Sequence, residues 1–276
     1  HQVFELWFKL MLRDLLAARD LFKGENVAEQ ELAGAVTRLR RVTTILRSAV
    51  QHFEVVETLP TREYLDFRNK LMPASGFQSA QMRRIEILLG LTDEERVPFG
   101  STGSHIDSLR AAGGETTPSL TSVLRQMSDI PTLKDALEEW LYRTPIDGLR
   151  PGDLDCERGL EQFVAAFLAA HESEVARSRE RAQSVTPGEG DRARIAALYD
   201  DEQVAVRRFL RPSEVEGGAR RARIRAAMLF IETYRELPLL AWPREVLASL
   251  LELEQAFLIF RQRHARMVER VIGRRA

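Results

Sequence analysis

The sequence predicts an all-α fold, a single helical domain of roughly ten helices spanning residues 1–276. Three observations carry that expectation. Apolar residues recur at spacings of three and four through most of the chain, and no stretch alternates apolar with polar residues over a length useful for a strand. Gly and Pro cluster where the helical patterns stop. No repeat of fixed period appears, and no composition shift is sharp enough to cut the chain into domains.

The elements follow in order. Val3, Leu6, Trp7, Leu10, Leu15 and Leu21 mark an amphipathic stripe that ends at Gly24, and the same spacing resumes from Val27 to Phe53. A segment carrying Tyr64 and Arg68 is stopped by Pro73, Ala74, Ser75 and Gly76, after which Phe77 to Leu89 forms another helical pattern closed by Gly90. Residues 92–117 are polar and Gly-rich, a loop-rich excursion. Ser119 to Met127 and Leu133 to Tyr142 are short helices, the second bracketed by Pro131 and the Thr144-Pro145 stop. Glu157 to Gln183 and Asp191 to Leu210 flank the breaker SVTPGEG, which predicts a helical hairpin near 157–210 whose charge-rich end projects into solvent. Arg220 to Arg235 and Pro243 to Gly273 close the chain, with Pro243 suited to a first turn.

Composition narrows the function classes. Lys plus Arg number 40 against 41 Asp plus Glu, so the net charge of -1 makes no case for nucleic acid or an anionic membrane. With one cysteine, Cys156, no intrachain disulfide forms, and a reducing, cytoplasmic setting is the default. No apolar run approaches the roughly 20 residues that span a bilayer, and no membrane partner is expected. The chain starts at His1 inside a helical pattern without an initiator methionine, and trimming at the front is the expectation.

Two places suggest chemistry. Tyr64 and Arg68 lie four residues apart, so on a helix they share a face just ahead of the small-residue kink at Ser75 and Gly76. An arginine fork beside such a gap suits a carboxylate, although a surface helix with an exposed arginine before an ordinary turn has the same spacing. His264 lies on a stripe with Leu253, Phe257, Phe260, Met267, Val268 and Val271, facing an apolar interior. A neutral imidazole there needs a partner, either an ordinary core hydrogen bond or a metal, and an axial histidine on a helix is a common haem ligand. Arg261, Arg263 and Arg266 could meet haem propionates or form a solvated basic face. His52, His105 and His171 show no second ligand at metal spacing, and neither Walker-type nor dinucleotide glycine loops occur. Ser75 lacks the spacing of a hydrolase nucleophile elbow.

These pieces together resemble the haem-dependent tryptophan 2,3-dioxygenases. The resemblance rests on HQVFELWFK at 1–9, EYLDFRNKLMPASGFQS at 63–79 and RQRHARMVERVIG at 261–273, in matching order and separation. Weaker likeness runs through EEWLYRTP at 138–145 and RIRAAMLFIETYRELP at 223–238, so it covers essentially the whole chain. It implies an all-α fold with haem b bound among the helices, O2 as co-substrate, L-tryptophan or a close analogue as substrate, and a homotetramer, a dimer of dimers. A neighbour's N-terminal segment would complete each pocket. It implies that His264 is the proximal iron ligand and that His1 is the distal histidine facing the indole nitrogen. Arg68 matches the arginine that clamps the substrate carboxylate, with Tyr64 beside it, and Ser75 and Gly76 match the small residues lining the distal side of the haem. The implied reaction inserts both oxygen atoms across the indole C2-C3 bond to give N-formylkynurenine.

Two departures from the family pattern bear on this expectation. Family members continue into a GTGGSSG loop that here would begin just where the chain ends at Ala276, which is expected to reflect trimming. Phe260 stands where a tryptophan is usual, four residues before the ligand, and Phe4 stands where tyrosine is common. These substitutions leave room for an alternative product, an oxindole made by adding one oxygen atom to a substituted tryptophan.

Overall fold

The chain opens with α1 (Gln2–Lys23) and folds back at Gly24 into α2 (Glu29–Glu57), whose start is fixed by Glu31 accepting a hydrogen bond from the Ala28 amide at 3.1 Å. In this computed structural model residues 2–71, 79–92, 109, 115–212 and 217–272 are described, apart from the side chains of 67–69, 71, 271 and 272. Ten α-helices and one short 3-10 turn, Pro238–Leu240, account for the regular structure among the described residues. No strand occurs there, only an isolated bridge between Ile146 and Leu149. The all-α expectation holds.

Contacts gather the chain into two compact units, one made of His1–Leu137 with Ala241–Ala276 and the other of Glu138–Leu240. The first unit is built on α1, α2 and the C-terminal α10 (Ala241–Ile272). Their inward faces carry Phe8, Met11, Leu15 and Phe22 from α1, Leu39, Leu46 and Phe53 from α2, and Val246, Leu253, Phe257 and Phe260 from α10, all buried. Each apolar side chain withdrawn from water contributes on the order of 1.5 to 3 kcal/mol, so this three-helix seam is the main source of stability in the unit. The α1 stripe is corrected in its first turn. Val3 and Leu6 are exposed, and the face that packs is the one begun by Phe4 and Phe8.

Three shorter helices complete the unit ahead of α6. Residues Thr61–Leu71 form α3, which lies against α10. Ser79 caps α4 (Ala80–Leu89), accepting from the Met82 amide at 3.1 Å, and Gly90 ends it with a φ of 82° that a side chain would strain. Thr117 caps α5 (Pro118–Ser128), and a Thr132–Asp135 reciprocal pair starts α6 (Leu133–Arg143). Most of the 92–117 excursion lies outside the described residues.

In the second unit α7 (Cys156–Ser184) and α8 (Glu189–Leu210) form the expected hairpin around residues 185–188. Ion pairs Arg207 with Glu172 and Arg179 with Asp200 tie them together. The hairpin is followed by α9 (Gly218–Thr233), whose Phe230 meets Phe163 of α7 edge to face at 5.5 Å. Arg223 of α9 is 4% exposed and donates to the Tyr142 carbonyl at 2.9 Å, the Leu149 carbonyl at 3.1 Å and the Cys156 thiol at 3.2 Å.

Candidate functional site

His264 sits on α10 one turn beyond Phe260, and the convergence of α1 and α2 on that turn surrounds it with rings. Phe53 of α2 stacks on the imidazole with centroids 5.6 Å apart and planes 23° apart, and Phe260 lies parallel within 17° at 6.2 Å. Phe4 stacks in turn on Phe53 at 5.1 Å, and Phe8 meets Phe260 edge to face at 5.9 Å. The stripe predicted for α10 therefore meets an aromatic layer in which His264 lies against Phe53 and Phe260, while His52 meets Phe4 edge to face at 6.2 Å.

Burial in that layer disfavours the charged imidazolium, and the nearby Arg83 guanidinium adds to the effect, so the pKa of His264 is pushed down to about 4. At neutral pH the ring is uncharged and has a lone pair to donate. That is the donor chemistry an axial haem ligand requires, in apolar surroundings, so the residues fit the group.

Charged residues close the layer on two sides. Arg83 and Glu86 of α4 form an ion pair one turn apart, with Glu86 only 3% exposed, and Arg261 of α10 approaches the same carboxylate at 3.7 Å. At the end of α2, Glu57 accepts from Arg263 at 3.0 Å and from Arg270 at 3.2 Å. The Arg263 hydrogen bond is the main reason that the Glu57 carboxyl titrates below its ordinary value. Arg266 pairs with Glu269 at 2.9 Å. Each of the three arginines around His264 thus has a carboxylate close by, and Arg266 is itself exposed to solvent. Carboxylates of α2, α4 and α10 meet them, because those helices place Glu57, Glu86 and Glu269 within reach.

The remaining expected site residues divide by position. Tyr64 lies half-buried on α3, and the backbone of Arg68 is one turn further on the same helix, as the spacing predicted. The side chain of Arg68 and the whole of His1, Ser75 and Gly76 lie outside the described residues. Around them the frame is explicit. Gln81 of α4 donates to both the backbone and the carboxylate of Glu5 on α1, at 2.9 and 2.6 Å, which fastens α4 to the helix that begins at the HQVFELWFK motif. Since α3 lies against α10, all three motif segments belong to one unit.

Sequence reasoning missed Phe53, Arg83, Glu86 and Glu57. The signal for Glu86 was present, a carboxylate in the apolar run IEILL whose neighbours Ile85 and Leu88 are buried. Phe53 carried none, since a phenylalanine near the end of a helical stripe is ordinary core. Among the described residues no cluster of His, Cys, Asp and Glu could hold a metal ion by several side chains, and no helix is long and apolar enough to cross a membrane.

The fold and site define a class of helical proteins that present a neutral imidazole, His264, within an aromatic layer. The family model described as Tryptophan 2,3-dioxygenase matches residues 1–276. A tryptophan 2,3-dioxygenase of Sorangium cellulosum is 49% identical over 282 residues, covering 100% of this chain and 67% of that protein. Tryptophan 2,3-dioxygenase 2 of Ralstonia nicotianae is 45% identical, covering 100% of this chain and 74% of that protein. A tryptophan 2,3-dioxygenase-like protein of Xanthomonas campestris pv. campestris is 47% identical over 224 residues, 79% of this chain and 80% of its own length. The chain belongs to the tryptophan 2,3-dioxygenase family, oxygenases that depend in general on haem.

Proposed function

We propose that this chain, with haem b bound, cleaves the indole C2-C3 bond of L-tryptophan with O2 and yields N-formylkynurenine. The observation that carries the proposal is the family match over residues 1–276, within which His264 stands neutral and ring-flanked at the motif's histidine. Haem, when bound, supplies the reduced iron that activates O2. His264 holds that iron by its neutral nitrogen. Arg68 offers two parallel donors to the carboxylate of the amino acid, and Tyr64 adds a hydroxyl one helical turn away. Ser75 and Gly76 keep side chains small where the indole must lie, and His1 hydrogen-bonds the indole N–H. These contacts hold the ring in one orientation in a space without bulk water, which turns a chance encounter into a near-unimolecular one. The same reading includes a cytoplasmic homotetramer, a dimer of dimers in which a neighbour's N-terminal segment completes each pocket.

The test is to incubate the reduced, haem-loaded protein with L-tryptophan and O2 and to follow the absorbance and mass of the product. N-formylkynurenine, two oxygen atoms heavier than the substrate, is expected. Absence of product at full haem loading, or a product only one oxygen atom heavier, would overturn the proposal. The relatives of Sorangium cellulosum and Ralstonia nicotianae are both named dioxygenases, which weighs against the single-oxygen alternative.

A further inference from the structure

A second face of α4 holds a group that the oxygenase reading does not use. Ala80, Arg84 and Ile87 follow one another at helical spacing, and Ala80 and Ile87 pack on the buried cluster of Leu109, Leu120 and Val123 contributed in large part by α5. Arg84 falls between them, where packing alone would favour an apolar side chain. Its Nε is buried and has no hydrogen-bond partner, and among the described residues its guanidinium joins no ion pair. A buried donor left without a partner costs about 1 to 3 kcal/mol, so the residue is costly unless something satisfies it.

Beside Arg84 lies a cavity of 350 Å³ lined by Arg84, Ser122, Arg125, Gln126 and Asp129. Arg125 of α5 brings a second guanidinium, also in no ion pair among the described residues. Asp129 is the one carboxylate in the lining, and it is already engaged by Arg19 at 2.9 Å, a side chain 6% exposed that also donates to the Asp129 and Pro131 carbonyls. Arg19 is shared between Asp20 at 2.8 Å and Asp129, so among the described residues the two guanidinium groups of the wall, counted with Arg19 and its two carboxylates, leave one net positive charge beside the cavity. Gln126, 4% exposed, and the Ser122 hydroxyl add neutral polar atoms to the same wall. The volume exceeds that of a bare inorganic ion and falls in the range of small-molecule pockets, roughly 300 to 1,000 Å³.

We infer that this cavity between α4 and α5 binds a small organic anion whose carboxylate or phosphate headgroup is held by Arg84 and Arg125. Charge-assisted bonds to two guanidinium groups supply the affinity, and the body of the ligand fills the remaining volume. Calorimetric titration of the full chain with phenyl phosphate, benzoate and uncharged benzyl alcohol tests this. Saturable one-to-one binding of one or both anions is expected, with none of benzyl alcohol, and the anion that binds more tightly identifies the headgroup. Arg84→Gln and Arg125→Gln should each weaken it about tenfold or more. Repeating the titration in Arg68→Ala protein separates this site from the proposed substrate clamp, since binding here should be unchanged by that substitution. No saturable binding of either anion, equal binding of benzyl alcohol, or affinity unaltered in the Arg125→Gln protein would overturn the inference. Arg125 is exposed and its variant should fold, so it decides the matter even if Arg84→Gln does not fold.

Discussion

At the scale of single residues, His264 on α10 and Glu57 at the end of α2 show burial and charge used in opposite ways. The imidazole is kept neutral by its aromatic layer, whereas the Glu57 carboxylate is kept charged by Arg263 and Arg270. His264→Ala should leave helix content intact by circular dichroism while abolishing the Soret band of reconstituted protein, since the one proposed iron donor is gone. An unaltered Soret band would assign the ligand elsewhere. Arg68→Ala should raise KM or lower kcat/KM for L-tryptophan by an amount equivalent to about 2 to 5 kcal/mol, the cost of losing a bidentate charge-assisted contact. Glu57 gives a prediction in pH. Its carboxyl is depressed in the folded chain, so its contribution to stability is complete above the ordinary value of 4.5 and is lost as pH falls through the lower folded value. Glu57→Gln should therefore be less stable than the parent at neutral pH, with the gap in thermal midpoint closing below that point. A gap that persisted in acid would mean that the pair contributes through packing and not through charge.

At the scale of elements, the aromatic layer joins three helices, so its loss should be felt in all of them. Phe53 is 2% exposed and touches Phe4, Phe260 and His264. Phe53→Ala should cost about 3 to 5 kcal/mol in urea unfolding, by lost transfer energy and the cavity left behind. In the other unit Arg223→Met should cost on the order of 3 kcal/mol or more, because it strips the donor from the Tyr142 and Leu149 carbonyls together. These elements also show what can be read in advance. Helix starts and stops were legible where a breaker acts, as with Gly24, Gly90 and Pro131, since breakers act within one turn, whereas the Thr132–Asp135 pair that starts α6 was not read. Which face of α1 packs was not legible in its first turn, where Val3, Phe4 and Leu6 are all apolar and only the position of α2 selects Phe4. His264 and the Tyr64–Arg68 spacing could be found in the sequence because each is a pattern along one helix. The Glu57 and Glu86 pairings could not, since each depends on helices distant in sequence meeting in space.

At the scale of the whole molecule, one unit boundary falls inside α6, between Leu137 and Glu138, so no Pro-, Gly- or Ser-rich linker announces it. Composition is equally silent on assembly, and exposure is more informative. Val3 and Leu6 on α1, Val55 on α2, and Leu251, Leu258 and Ile259 on α10 are each more than half exposed, a concentration of apolar side chains on the helices that also build the core. Scattered exposed leucines are normal in a monomer, but Leu251 and Leu258 lie seven residues apart on one face of α10 and invite a partner helix. The homotetramer proposed here predicts that light scattering will find four chains of 31.5 kDa each in the haem-loaded protein. If a neighbour's N-terminal segment completes each pocket, dilution that splits the assembly should lower turnover per haem while leaving the Soret band in place, because His264 belongs to the chain itself. Leu251→Glu combined with Leu258→Glu should give the same split at ordinary concentration if that face is an interface. Full turnover from a species of one chain would remove the neighbour from the site, and the pocket would then have to be completed within a single protomer.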